Sequence, residues 1–139
     1  MIALVSKLMK KSLDTPEETL RFGHGKMQVV HLGDQPVARI VLEPGWRWSE
    51  DVKPLAGTES CQTDHLQYVI SGRLAIRMDD GTTMEIGPCD TAAIPPGHDA
   101  WVVGDNPFMA IDFQGLKDYV KSATAEERWG YSTEQEADL

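Results

Sequence analysis

The side chains in this sequence best suited to chemistry are a cysteine, two histidines and a glutamate: Cys61, His65, His98 and Glu59. Thiolate, imidazole and carboxylate are the ligand types that suit zinc, nickel or ferrous iron. Glu59 and Cys61 share a parity, so on an extended strand they would face one side. His65 follows after a short turn and could face them from a neighbouring strand. Cys61, His65 and His98 are therefore the expected metal ligands, with Glu59 as a possible fourth. Three protein ligands leave one position open for water or substrate, which is the catalytic arrangement. Each residue also has a purely structural reading. A lone cysteine in a β-rich chain serves more often as a small buried apolar group. His98 follows a turn and could hydrogen-bond to Asp99 or to backbone.

A second group could hold a small organic ligand. Trp46, Trp48 and Trp101 could line a cavity mouth, and Gln67 is placed with them as a substrate-binding candidate. The alternative is that the tryptophans fill the core or a subunit interface. Arg47, between two tryptophans, could bind a carboxylate or stack on a ring. His24, His31 and Cys89 receive no functional role. No serine stands in a Gly-x-Ser-x-Gly context and no glycine loop is built to cradle phosphate, so a hydrolase triad and a nucleotide site have no sequence support.

These residues need elements to position them, and the pattern is that of short strands. Val37, Arg39 and Val41 alternate with Ala38, Ile40 and Leu42, the period of a strand with two different faces. Further strands are expected at 66–70, 74–78, 82–86, 91–94, 101–103 and 108–113. Between them stand Ser71-Gly72, Asp80-Gly81, Gly87-Pro88 and Pro95-Pro96-Gly97, and Asp-Gly between strands is a strong hairpin signal. Turn signals every eight to twelve residues mark a β-sandwich or barrel. Residues 46–58 lack periodicity and are expected to form a loop or irregular edge. Two helices are predicted at the ends. Thr15-Pro16-Glu17-Glu18 has the form of a capping box with proline at the first helical position, predicting a short helix that ends near Phe22-Gly23. A second helix is predicted from Leu116, with Tyr119 and Val120 on its apolar face, followed by an acidic tail. The expected organisation is one domain: an arm and short helix over 1–25, a barrel over 26–115, and a helix with its tail over 116–139.

The turn-and-strand framework between Glu59 and Gly104 resembles the two-motif core of the cupin superfamily. The end of the first motif is present as Tyr68-Val69-Ile70-Ser71-Gly72. Counting back from Gly72, the family's glutamate position holds His65, and its two histidine positions hold Glu59 and Cys61. The second motif's turn is Pro95-Pro96-Gly97. Its histidine position holds Ala100, with His98 two residues earlier, and Cys89-Asp90 replaces the usual Gly-Asp pair. The sequence is also similar to small single-domain bacterial cupins of uncharacterised type, through Pro44-Gly45-Trp46-Arg47-Trp48, Cys61-Gln62-Thr63-Asp64-His65 and Pro95-Pro96-Gly97-His98-Asp99-Ala100-Trp101. The resemblance implies an all-β fold, the double-stranded β-helix or jelly-roll, here with a short helix at each end. It implies a cavity into which Cys61, His65 and His98 point together. It also implies a metal-assisted enzyme of the oxygenase, isomerase or lyase kind, or else a non-catalytic small-ligand binding or sensing module. Cupins commonly pair, so a homodimer is expected, covered through residues 37–42 and through Trp46 and Trp48.

Composition sets outer limits on function. Of 139 residues, 41% are hydrophobic and 25% charged, a globular balance. The net charge is −9, which argues against nucleic acid and anionic membrane surfaces as partners. Two cysteines are too few for a disulfide scaffold. The N-terminal run Met1–Ser12 places its lysines after its apolar residues, the reverse of a secretory signal. The resulting expectation is a cytoplasmic protein with reduced thiols.

Overall fold

The structure, a computed structural model, describes residues 4–113. The expected helix from Leu116 and the acidic tail lie outside the described residues. In chain order the elements are β1 (Glu18–Phe22), β2 (Gly25–Leu32), β3 (Gln35–Leu42), α1 (Trp48–Asp51), α2 (Lys53–Ala56), β4 (His65–Ser71), β5 (Leu74–Met78), β6 (Thr83–Ile86), β7 (Thr91–Ile94), β8 (His98–Val102) and β9 (Phe108–Asp112).

The alternation read from the sequence becomes two packed antiparallel sheets. One has six strands in the order β1-β2-β3-β9-β4-β7, and the other has three in the order β6-β5-β8. In β3, Pro36, Ala38, Ile40 and Leu42 are buried while their neighbours are partly exposed. In β9 the buried parity is Phe108, Ala110 and Asp112. In β8 it is His98, Ala100 and Val102. Ala38, Ile40, Leu42, Ala100, Val102, Phe108 and Ala110 of these rows meet Val29, Val69, Leu74 and Ile76 in one core. Burying a side chain of that size is worth about 1.5–3 kcal/mol.

Two turns fix the crossings. Gly72 has φ +79°, and a Cβ there would lie 2.2 Å from the Pro107 carbonyl oxygen. Only glycine fits so close a backbone approach. At Asp80-Gly81, the Gly81 N–H donates to the Met78 carbonyl at 2.9 Å and the Asp80 carboxylate accepts from the Thr82 N–H at 2.9 Å.

The ends of the chain read differently in three dimensions. The residues expected to form the N-terminal helix instead make β1, the edge strand paired with β2 from Glu18↔Val29 to Phe22↔Gly25. A helix of under two turns is not self-supporting, whereas the strand buries Thr19 and Leu20. The capping glutamate is used elsewhere: the Glu17 carboxylate accepts from the His31 N–H at 2.6 Å and from Lys11 Nζ at 3.0 Å. The sheet thus begins before residue 26. Residues 46–58, expected as loop, contain the two short helices α1 and α2. β8 starts at His98, three residues before the expected start, because Met78↔His98 pairs it to β5.

The surfaces proposed for subunit contact are also not free. β3 sits inside the large sheet between β2 and β9, and Trp46 and Trp48 are buried. The exposed apolar row is Leu66, Tyr68 and Ile70 on the outward parity of β4, joined by Phe113. Among the described residues no helix is long and apolar enough to cross a membrane.

Candidate metal centre and cavity

Cys61 is placed by backbone pairing to the start of β8. Its N–H donates to the His98 carbonyl at 2.7 Å, and its own carbonyl accepts from the N–H groups of Gly97 (2.7 Å) and His98 (3.3 Å). The Pro95-Pro96-Gly97 corner therefore sets Cys61 and His98 side by side. His65 opens β4 and pairs with Ile94 of β7, which brings it in from the opposite sheet. The candidate ligand atoms of Cys61, His65 and His98 lie within 4.8 Å of one another. The imidazoles meet edge to face, with centroids 5.4 Å apart.

Each imidazole has one nitrogen already committed. His98 Nδ1 donates to the Pro95 carbonyl at 2.7 Å. His65 Nδ1 lies 2.7 Å from Asp112 Oδ2 and donates to it. Its Nε2 is 3.9 Å from Cys61 Sγ. In both rings Nε2 is thus left for a ligand, and hydrogen bonds of this kind fix tautomer and orientation at metal centres. Tetrahedral zinc would want ligand atoms ~3.3–3.6 Å apart, given its bond lengths. The Cys61–His65 pair, at 3.9 Å, is within a few tenths of that, and a pair at 4.8 Å would close by about 1.2–1.5 Å. The set is three soft or borderline donors with one open side, and it fits a divalent metal.

Asp112, which the sequence reading did not single out, stands behind the cluster. Its side chain is 1% exposed, it is paired across the sheet with Gln67, and it accepts from Gln67 Nε2 at 3.1 Å. The local electrostatics follow. Burial disfavours charge on His65, but the Asp112 hydrogen bond and then the Cys61 contact outweigh it, raising the imidazole to about 10. Burial pushes the Cys61 thiol up, while hydrogen bonds to His65 and His98 pull it down to about 6. Without metal at neutral pH, Cys61 and His65 form a thiolate–imidazolium pair held by Asp112.

The cluster opens on a cavity of about 80 Å³. Its wall includes Trp46, Trp48 and Gln67 together with Cys61, His65 and His98, and the rest is apolar. Trp46 is tied to β8 by the Val102 N–H, which donates to its carbonyl at 3.1 Å. Trp48 opens α1, which is held by the Asp99 carboxylate accepting from the Ser49 N–H at 3.1 Å. The indole N–H of each tryptophan and Gln67 Oε1 are buried without a hydrogen-bond partner. Each such group costs about 1–3 kcal/mol, a large share of a domain's net stability.

Two of the candidates lie elsewhere. Glu59 is 96% exposed and accepts from Lys53 Nζ at 3.0 Å. Its parity with Cys61 does not carry it inward, because residues 57–60 bend and form no strand. Trp101 has the outward parity of β8, opposite His98 and Ala100. It carries the Arg47 guanidinium 4.4 Å above its ring, and Arg47 Nε also approaches Asp99 Oδ2 at 3.5 Å. Cys61 and Cys89 are both free thiols.

No protein-family model matches the chain, and no curated protein matches it in sequence. Solved structures do match it in fold. A conserved protein with a double-stranded β-helix domain from Klebsiella pneumoniae is 22% identical, with 78% of this chain and 92% of that one covered at a TM-score of 0.51. A protein of unknown function from Vibrio parahaemolyticus is 13% identical, with coverage of 71% and 97% and a TM-score of 0.51. Another, from Acidithiobacillus ferrooxidans, is 18% identical over 69% and 85%, at 0.50. With the two antiparallel sheets and the Gly72 and Pro95-Pro96-Gly97 corners, these likenesses give the chain the fold of a small cupin, a double-stranded β-helix.

Proposed function

We propose that the protein holds one divalent metal, zinc, nickel or iron, on Cys61, His65 and His98, and acts on a small organic molecule in the adjoining cavity. The observation that carries this is the convergence of three ligand atoms within 4.8 Å at the wall of one cavity. A bound metal would supply Lewis-acid polarisation of a substrate oxygen at its open position. The chain's own residues do the rest. Asp112 and the Pro95 carbonyl hold the imidazoles in the ligating tautomer. The apolar wall keeps bulk water from the site, which strengthens electrostatic interactions within it.

Cobalt(II) added to the chelator-stripped protein tests the assignment. A sulfur-to-metal charge-transfer band should appear in the wild type and be lost in Cys61→Ser. A spectrum identical in the two proteins would remove Cys61 from the site. The alternative of a non-catalytic binding or sensing module keeps the same cavity, and its apolar wall supports that reading equally. Turnover by the loaded protein against loss of binding only on metal removal separates the two. A homodimer remains part of the proposal, through the exposed row Leu66, Tyr68 and Ile70, and a monomeric mass by light scattering would count against it.

A further inference from the structure

We propose that the cavity beside Cys61, His65 and His98 takes a small molecule with one polar head and a short alkyl chain, the head set toward the cluster and the chain filling the apolar end. The inference deepens the reading of this cavity as a small-molecule site, on which it rests, and it does not depend on a metal.

The wall dictates the chemistry of the guest. Apart from Cys61, His65, His98 and Gln67, every side chain lining the cavity is apolar. No lysine, arginine, aspartate or glutamate is among them. Trp46 Nε1, Trp48 Nε1 and Gln67 Oε1 have almost no accessible surface, and Gln67 Nε2 is engaged by Asp112 at 3.1 Å. What the tryptophans offer a guest is therefore ring carbon. Hydrogen-bonding capacity is confined to the cluster, with one Nε2 from each imidazole. A hydroxyl or carboxylate moved into apolar surroundings without a partner is heavily disfavoured. A guest thus has a place for one polar group, at the cluster, and a polyol or a diacid is excluded.

Size sets the length of the chain. The cavity is about 80 Å³. That is roughly half the ~150 Å³ that holds benzene, so on the order of three or four non-hydrogen atoms fill it. Close-packed interiors leave few voids larger than a water molecule, and an apolar void stays dry. A void of this size beside three convergent donor atoms is room for a guest rather than slack in the core. Ala100 helps to keep it open. It is the next inward residue of β8 after His98, it lines the cavity, and it carries only a methyl group.

Chemical-shift titration of the full chain with ethanol, 1-propanol, 1-butanol and 1-hexanol tests the proposal, with glycerol and 1,4-butanediol as polar counterparts. Each methylene buried is worth about fourfold in affinity. Binding should tighten by about that factor per carbon from ethanol to 1-butanol, and 1-hexanol should gain nothing further. Glycerol should bind at least about tenfold more weakly than 1-propanol, and 1,4-butanediol than 1-butanol, because each adds hydroxyls with no partner. Ala100→Leu, which fills the cavity, should abolish the dependence on chain length. Ile40→Val, which removes a methyl group from the wall, should move the break to a longer chain. Circular dichroism checks folding, and Ile40→Val decides if Ala100→Leu unfolds. A flat series, polar counterparts that bind as tightly, or a series unchanged in the folded variants would overturn the proposal. Tighter binding of the diol overturns the alkyl inference alone, whereas no shift at cavity residues with any probe overturns the small-molecule reading with it. Titrating metal-loaded and chelator-stripped protein keeps the metal apart. Metal retained with a flat series fails this inference only, and the expected series without metal retention fails the metal assignment only.

Discussion

Replacing Asp112 by asparagine keeps its shape and removes one buried negative charge. In the wild type that carboxylate accepts from His65 Nδ1 at 2.7 Å and from Gln67 Nε2 at 3.1 Å, with 1% of its side chain exposed. Breaking one side of a buried ion pair generally costs about 3–5 kcal/mol. Two features lower that figure here. The asparagine carbonyl still accepts from Nδ1–H, and His65 can shed its proton. A loss of about 2–3 kcal/mol follows, or roughly 8–12 °C in Tm for a domain of this size. The pH dependence identifies the cause. His65 is raised in the fold from 6.5 to about 10, so its contribution is complete below pH 6.5 and is lost as pH rises through 10. The gap between wild type and Asp112→Asn should be widest near pH 6–7 and close above pH 10. Cys61, relieved of the neighbouring imidazolium, should titrate well above 6. Thermal melts of chelator-stripped protein across pH, with thiolate absorbance in the ultraviolet, measure both. A gap that does not change with pH, or an unmoved Cys61 midpoint, would refute the relay from Asp112 through His65 to Cys61.

Three further outcomes follow from the same geometry. In the stripped wild type, Cys61 contributes stability that is lost as pH falls from 9 through 6, and His65 contributes stability that is lost as pH rises from 6.5 through 10. Their slopes oppose between about pH 6.5 and 9, so urea unfolding should show a flat top there, and a steady slope across that window would contradict the pairing. Gly72→Ala places a Cβ 2.2 Å from the Pro107 oxygen at φ +79° and should cost about 3 kcal/mol or more in unfolding free energy; a change under about 1 kcal/mol would mean the crossing relaxes. Glu59→Gln and Trp101→Leu should leave metal affinity unchanged, since neither side chain faces the cluster, and a tenfold loss measured by competition with a chelator dye would bring that residue back into the site.

Much of the fold is legible in the sequence because its punctuation is backbone chemistry. Gly72, Asp80-Gly81 and Pro95-Pro96-Gly97 stand where the chain turns, and the strands between them follow. The N-terminal capping signal misleads because it is local. Its competitor is pairing with β2, a partner that the residues themselves do not name. Cys61, His65 and His98 come together as expected, since corners and strand starts place all three. Glu59 fails because parity holds only on a strand, and residues 57–60 bend. Trp101 fails for a reason the sequence does contain: the parity that turns His98 and Ala100 inward turns Trp101 outward. Asp112 also left a signal, an acidic residue on the inner parity of the apolar strand Phe108-Met109-Ala110-Ile111. The orphaned indole and amide groups had none, since satisfaction of a polar atom depends on neighbours from distant strands.

The most direct test of the metal assignment is the metal content of native, untagged protein purified without a chelating column. Elemental analysis should find about one zinc, nickel or iron per chain, and His65→Ala and Cys61→Ser should each lose it while retaining the circular dichroism of the folded barrel. A wild-type protein that carries no transition metal and takes none up, or variants that retain it fully, would contradict the assignment of Cys61, His65 and His98 as its ligands.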